Sequence, residues 1–525
     1  MKATKVSDSA KPPKTASPGE GVTAAERQLA KLCKHSFLSL WSYPSVFRDQ
    51  GRIDGKGDGK EICDLLVVFE NHIFIFSDKD CAFKDTGRLE VDWVRWYKKA
   101  ILKSAEQVFG AERWLRKFPT NLFLDRQCSL PFPITLPEPA EAIFHRIVVA
   151  HDGARQCRDI FGGSGSLMIR STLIGDTHLT HPFTIGNIDP ARGFVHVFDD
   201  TTLNIVMSTL DTITDFTAYI TKKERLLTGK RIILADGEEE LLALYLGNLN
   251  QAGEHDFVIK GDYDLVHLAE GSWTHFANSP ERRAQVEHNR ISYAWDGLIE
   301  KFLFHAMTGT QYLSSDQPLS EQEEMYRWMA RESRTMRRIR ALSLRDVLER
   351  SLRSGSAWDA RVLKSTSQGD PYYVILCVRR PPNVSDEEYR QKRFRLLSDY
   401  CHVTKLKWPD AKDVIGIATE SGDEARRSED LIYLRAVDWN KAAQAEAKEA
   451  QARLGILKRI KMGRGRECEY PADHNGQLRS DTQQSRNSQC FCGSGKRFKS
   501  CHGKELFLKN TKRKDVRRPK NRRRP

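Results

Sequence analysis

The 525-residue sequence contains no apolar run of about 18 residues, which argues against a membrane-spanning helix. Its first stretch, MKATKVSDSAKPPKTASPGEGV, is charged but lacks an apolar central region, so it reads as a disordered leader and not as a secretory signal. No G-x-x-x-x-G-K-[ST] phosphate loop occurs, so the chain lacks the usual signature of a P-loop ATPase. No internal repeat is evident, which argues against a solenoid. Regularly spaced cysteines are also missing from most of the chain. Cys33, Cys63, Cys81, Cys128, Cys157, Cys377, Cys401 and Cys468 are scattered, the usage expected of a reducing compartment, and a cytoplasmic location follows as the expectation.

Acidic residues are plentiful, 70 against 84 Lys and Arg, but they are scarce at one end. Between Lys496 and Pro525 there are 14 Lys/Arg and only two acids, Glu505 and Asp515, so nearly all of the +14 net charge belongs to that segment. A concentrated cationic end suits a polyanion: nucleic acid, the ribosome or an anionic surface. A solvated, disordered end is the competing reading of the same charge run.

The length calls for two or three domains. TAAERQLAKLCKHSFLSLWSYPSVF has apolar residues at helical spacing, Leu29, Leu32, Cys33, Phe37 and Leu40, with Thr23 and Glu26 placed as a capping box. EICDLLVVF and HIFIFSDK predict a hairpin turning at Glu70-Asn71. DWVRWYKKAILKSAEQVFGAERWLRKF predicts a helix, with Trp93, Trp96 and Trp114 packing it on the sheet, and IFHRIVVAHD a buried strand. The order is that of an α/β domain over 23–155. Residues 156–461 read as a mixed α+β region without legible chemistry. There GFVHVFDDTTLNIVM and DPYYVILCVRRP predict strands, and TITDFTAYITKKERLL, EEMYRWMARESRTMRRIRALSLRDVLERSL and DWNKAAQAEAKEAQARLGILKRIK predict helices, the last exposed. Residues 462–488 have linker composition, 489–504 form a small module and 505–525 a basic tail.

In QCFCGSGKRFKSCHGK, Cys490 and Cys492 are followed after eight residues by Cys501 and His502. Thiolates and imidazole are ligands preferred by Zn²⁺, and four of them close a tetrahedral structural site. Two intervening glycines allow the sharp turn, and metal affinity substitutes for a core in so short a segment. RNSQCFCGSGKRFKSCHG resembles the SEC-C motif, the zinc-binding C-terminal element of the bacterial protein-translocase ATPase and of many otherwise unrelated bacterial proteins. Phe491 stands where that family usually has Pro. The resemblance implies zinc on Cys490, Cys492, Cys501 and His502, and an adaptor role toward a protein partner or an anionic surface. A site with four protein ligands leaves no position for substrate water, so catalysis is expected elsewhere.

Glu26 on the first helix, Asp64 on the first hairpin strand and Lys79 at the end of the second are the other notable set. Carboxylates that hold Mg²⁺ against a phosphate and an ammonium that positions or deprotonates water are the parts of metal-assisted phosphodiester hydrolysis. GKEICDLLVVFENHIFIFSDKD resembles the core of the PD-(D/E)XK nuclease superfamily. The resemblance runs from about Thr23 to His151 and implies a restriction-endonuclease-like fold, with Asp64 on the metal, Lys79 as catalytic lysine and Gln107 of the following helix close to the site. That family places an acid two residues before the lysine, where this chain has Ser77. Three alternatives follow: a bulge turns Asp78 inward, Glu61 or Glu26 supplies the second carboxylate, or the site binds without cutting. Oligomeric state, substrate and pathway are not legible.

Other signals are weaker. His178 and His181 of HLTH lack a nearby carboxylate or thiolate and read as ordinary histidines, and FGGSGS at 161–166 reads as a turn. Arginines surround the helix RTMRRIRALSLRDVLER, where solvation is the commoner state and phosphate contact the rarer one. Two functions therefore compete: a Mg²⁺-dependent nuclease or nuclease-like protein recruited by its zinc module and tail, and a non-enzymatic adaptor.

Overall fold

The computed structural model describes residues 4–5, 23–50, 52, 57–314, 319–364, 369–422, 427–460, 463, 468–470 and 497. The leader, the linker, the four cysteine and histidine zinc candidates and the basic tail fall outside these, apart from isolated residues. The chain divides into two compact units, Met1–Arg282 with Leu303–Arg334, and Arg283–Phe302 with Thr335–Pro525. Among the described residues no helix is long and apolar enough to cross a membrane.

The first unit opens with α1 (Ala24–Phe37), which buries Leu29, Cys33 and Phe37 at i, i+4 and i+8. Its start is the capping box expected from the sequence: Glu26 N donates to Thr23 Oγ1, and Thr23 N donates to a Glu26 carboxylate oxygen. The helix stops earlier than the apolar spacing suggests. Leu38 takes a positive φ of 65°, and Ser42–Arg48 forms a strand, β1. Leu38 itself leaves the helical region, its N–H still donating to Lys34 O, and Pro44 falls within the strand that follows, where an edge position tolerates it.

The hairpin follows as β2 (Lys60–Phe69) and β3 (His72–Lys79), closing at Phe69↔His72 with Glu70 at φ 52°. Next come α2 (Leu89–Trp96), a π-helical turn at Tyr97–Leu102, α3 (Lys103–Lys117), β4 (Ile143–Ala150) and α4 (Ala154–Phe161). Beyond them lie β5 (Met168–Ile174), β6 (Thr184–Asn187), β7 (Val195–Asp199), α5 (Asp200–Thr209), α6 (Ile213–Leu227), β8 (Ile232–Ala235), α7 (Glu238–Leu246) and β9 (Leu265–Leu268). GFVHVFDDTTLNIVM is thus a strand that becomes a helix, because Asp199 caps α5 by accepting from Thr202 N at 2.8 Å.

The main sheet runs β1-β2-β3-β4-β7. Its first three strands form an antiparallel meander, and β3, β4 and β7 are parallel. The fifth strand comes from beyond residue 155, so the sheet draws on the region in which the sequence showed no legible chemistry. One face packs on α2 and α3 through Ile62, Leu66, Ile75, Val148 and Val197 against Trp93, Val108 and Leu115. On the other face Phe74 meets Phe37 of α1 and Phe216 of α6 at ring-centroid distances of 6.0 and 5.8 Å. Each such aromatic contributes about 1.5–3 kcal/mol by burial. A second sheet of the same unit runs β9-β8-β5-β6. His178 is fully buried, with Nδ1 against Gly175 O at 2.7 Å and Nε2 accepting from Gly186 N at 2.9 Å, a satisfied core histidine.

The second unit contains α8 (Arg334–Ser354) beyond its first residue, β10 (Trp358–Leu363), β11 (Tyr372–Arg379), α9 (Asp386–Lys407), β12 (Val414–Ser421), β13 (Glu429–Leu434) and α10 (Lys441–Leu454). Its sheet runs β10-β11-β12-β13, with α9 connecting the parallel pair β11 and β12. The arginines of α8 correct a sequence expectation: Arg337 and Arg338 are fully buried instead of solvated. Arg337 Nη1 pairs with Asp296 Oδ1 at 2.8 Å, and Arg338 donates to Asn289 Oδ1 at 2.9 Å. Removing one partner leaves a buried charge, so Asp296→Ala is expected to cost about 3–5 kcal/mol in a urea unfolding curve.

Candidate active site

β2 and β3 carry Asp64 and the Ser77-Asp78-Lys79 run to the end of the main sheet where β4 also ends, Lys79 lying in register with Ala150. Strand alternation places Ser77 and Lys79 on one face and Asp78 on the other. The hydrogen bonds follow that division. Ser77 Oγ donates to Gln107 Oε1 of α3 at 3.0 Å, and Gln107 Nε2 donates to Asp64 Oδ1 at 3.3 Å. Asp64 Oδ2 accepts from Asp78 N at 2.6 Å. The Asp78 carboxylate is bonded to His151 Nε2, just past β4. The register of β3 against β4 is unbroken from His72 to Lys79, so no bulge turns Asp78 toward Asp64.

Asp64 is 9% exposed, and burial pushes its carboxyl above the usual range. The Asp78 N–H and the Lys79 ammonium oppose that shift, while the charges of Glu26 and Asp78 add to it. Glu61 is raised as well, by burial first, with Asp64 and Glu26 contributing and a Ser45 hydrogen bond and Arg126 opposing. Glu26, Glu61 and Asp78 are therefore each electrostatic neighbours of Asp64, with Lys79 opposing their effect on it. Neighbouring carboxylates that repel one another suit a hard divalent cation, and Mg²⁺, which keeps several waters, needs only one or two of them. Their oxygens do not all close to within 4.8 Å, a condition that among the described residues is met by His145, His196 and Glu224.

A carboxylate raised in the folded state weakens stability as pH rises through its folded pKa and costs nothing below its unfolded value, about 4.3 for Glu. Glu61→Gln is therefore expected to raise the thermal midpoint near pH 7 and to leave it unchanged near pH 4. Mg²⁺ should stabilise the unsubstituted chain more than the variant, as read by differential scanning calorimetry.

The structure thus joins Asp64, Ser77 and Gln107 by hydrogen bonds, with the charges of Glu26, Asp78 and Lys79 acting on Asp64 and that of Asp64 on Glu61, while the Asp78 carboxylate is bonded to His151. His151 was missed in the sequence, where it is one histidine after a strand. His145 and His196 were missed because they are far apart in sequence and meet only through the parallel pairing of β4 and β7.

Residues 486–504 match the family described as the SEC-C motif. No curated protein and no solved structure matches the chain.

Proposed function

We propose that this protein is a metal-dependent nuclease, or a nuclease-like nucleic-acid-processing protein, with its reaction centre at Asp64 and Lys79. The observation that carries this reading is the convergence of Asp64, Ser77 and Gln107 by hydrogen bonds, with the charges of Glu26, Asp78 and Lys79 acting on Asp64 and those of Asp64 and Glu26 acting on Glu61. The element order supports a restriction-endonuclease-like domain: helix, strand with Asp64, hairpin to the Lys79 strand, helix with Gln107, parallel strand. Asp64 with Glu26 or Glu61 would hold Mg²⁺, and a bound Mg²⁺ supplies polarisation of a phosphate oxygen and a more acidic water. Gln107 orients Asp64 through one of its oxygens. Lys79 offers an ammonium for positioning the attacking water or the phosphate.

In this reading Cys490, Cys492, Cys501 and His502 of the SEC-C motif hold a structural zinc, and the motif with its cationic tail docks a cytoplasmic protein onto nucleic acid or a protein partner. One observation favours the competing adaptor reading. Ser77 stands at the expected acidic position and Asp78 is engaged by His151, as in a scaffold that binds without cutting. Incubating the full chain with single- and double-stranded DNA and RNA, in Mg²⁺ and in EDTA, separates the two. Metal-dependent fragments support the nuclease, and salt-sensitive binding without turnover supports the adaptor.

A further inference from the structure

On the face of the main sheet opposite α3, a second cluster of ligand-type side chains lies apart from Asp64. His145 of β4, His196 of β7 and Glu224 of α6 each bring one ligand atom within 4.8 Å of the others. The two histidines sit on adjacent parallel strands, and α6 crosses above them with Glu224. We infer that His145, His196 and Glu224 form a binding site for a divalent transition-metal ion of the zinc class.

The independent sign is what the histidines lack. His196 is 0% exposed, and neither of its ring nitrogens has a hydrogen-bond partner; His145 is 2% exposed, and its Nδ1 has none. Burying such atoms unpaired is costly and calls for a partner. Burial lowers the pKa of both rings well below the usual histidine value, so each presents a neutral lone pair. His196 Nε2 and Glu224 Oε2 are 3.7 Å apart, too far for a hydrogen bond. Two ligands each about 2.0–2.2 Å from a tetrahedral zinc stand roughly 3.3–3.6 Å apart, so a small side-chain adjustment closes the pair on an ion.

The surroundings fit the same reading. His145 Nε2 lies 2.8 Å from His72 Nδ1. If His145 carries its proton on Nε2 and donates it to His72, its Nδ1 is left for the metal, the outer-shell arrangement common at histidine-ligated ions. Phe74 stacks on the His145 ring at 4.5 Å and restricts it to that plane. The two nearby cations are ion-paired, Lys223 with Glu238 and Arg146 with Glu112, and add to burial in keeping the rings neutral, Arg146 acting on both and Lys223 on His196. Burial raises the Glu224 carboxyl, against the opposing pull of Arg146, and a bound cation would offset that cost. Two imidazoles and one carboxylate suit Zn²⁺, Co²⁺ or Ni²⁺ better than Mg²⁺. Glu224, with a side chain 37% exposed, is the outward ligand through which an ion would enter.

The test uses the full chain carrying Cys490→Ser, Cys492→Ser, Cys501→Ser and Asp64→Asn, which removes the three thiolates of the SEC-C motif and the aspartate of the nuclease-like site. The expected result is one equivalent of Zn²⁺ per chain, a thermal midpoint that rises with added zinc, and a Co²⁺ spectrum with ligand-field bands but no thiolate charge-transfer band. Adding Glu224→Gln, which keeps size and sits partly at the surface, should weaken zinc binding at least about tenfold without lowering the metal-free midpoint. His196→Gln should abolish the zinc-dependent rise. Absence of bound zinc in the starting chain, or unchanged affinity in both added variants, overturns the inference.

Discussion

Lys79→Met is expected to lower Mg²⁺-dependent cleavage of nucleic acid by about 10²-fold or more while leaving Mn²⁺ affinity unchanged. Asp64→Asn should lower both. The two residues differ in what they can do. Asp64 is a buried carboxylate whose oxygens are held by Gln107 and the Asp78 N–H, the posture of a metal ligand. Lys79 is half-buried beside it and offers only donors, so its contribution lies in placing charge or moving a proton, which is worth about 10²–10⁴ in rate. Methionine keeps most of the apolar stem, and Asn keeps the size of Asp64, so neither change opens a cavity. Cleavage kinetics paired with Mn²⁺ titration by electron paramagnetic resonance read the split. A Lys79→Met chain that cuts at the original rate would remove the lysine from the chemistry. Because Asp64 and Glu61 are both raised above the usual carboxylate range, activity should also fall with acidification at a higher pH than ordinary carboxylates would give.

Deleting residues 505–525 is expected to produce the other large effect. That segment holds ten Lys/Arg and the acids Glu505 and Asp515. If the tail engages the backbone phosphates, the full chain should lose roughly 10³-fold or more in affinity for a non-specific duplex between about 50 and 200 mM salt. The deleted chain should bind more weakly at low salt and show a much flatter dependence of log K on log salt. Fluorescence anisotropy across a salt series measures both quantities. Equal slopes for the two chains would assign the tail to a role other than phosphate contact.

The parts of the fold carried by local pattern were legible in the sequence. The capping box at Thr23 and Glu26, the turn at Glu70-Asn71 and the α2–α3 helix depend on neighbours within a few residues, and the structure contains them. Leu38 marks the point where local reading failed, because the apolar spacing of α1 continues to Leu40, past the residue at which the chain leaves the helix for an edge strand. The buried arginines of α8 look solvated from sequence because their partners, Asp296 and Asn289, are distant along the chain. The candidate active site was legible through Asp64, Lys79 and Gln107, since a hairpin and the next helix bring those positions together. Two features needed coordinates: the capture of Asp78 by His151, and the mutual repulsion of Glu26, Glu61 and Asp64, which depends on how α1 meets the sheet. The histidine pair on β4 and β7 needed them most, because its spacing in sequence carries no metal signature.

The most direct measurement is a side-by-side cleavage assay of the full chain and its Asp64→Asn variant on DNA and RNA oligonucleotides, with Mg²⁺ and then Mn²⁺, after circular dichroism has shown both chains folded. The nuclease account predicts metal-dependent fragments from the unsubstituted chain and none from the variant. Equal cutting by both chains, or no cutting by the unsubstituted chain under either metal, would contradict it.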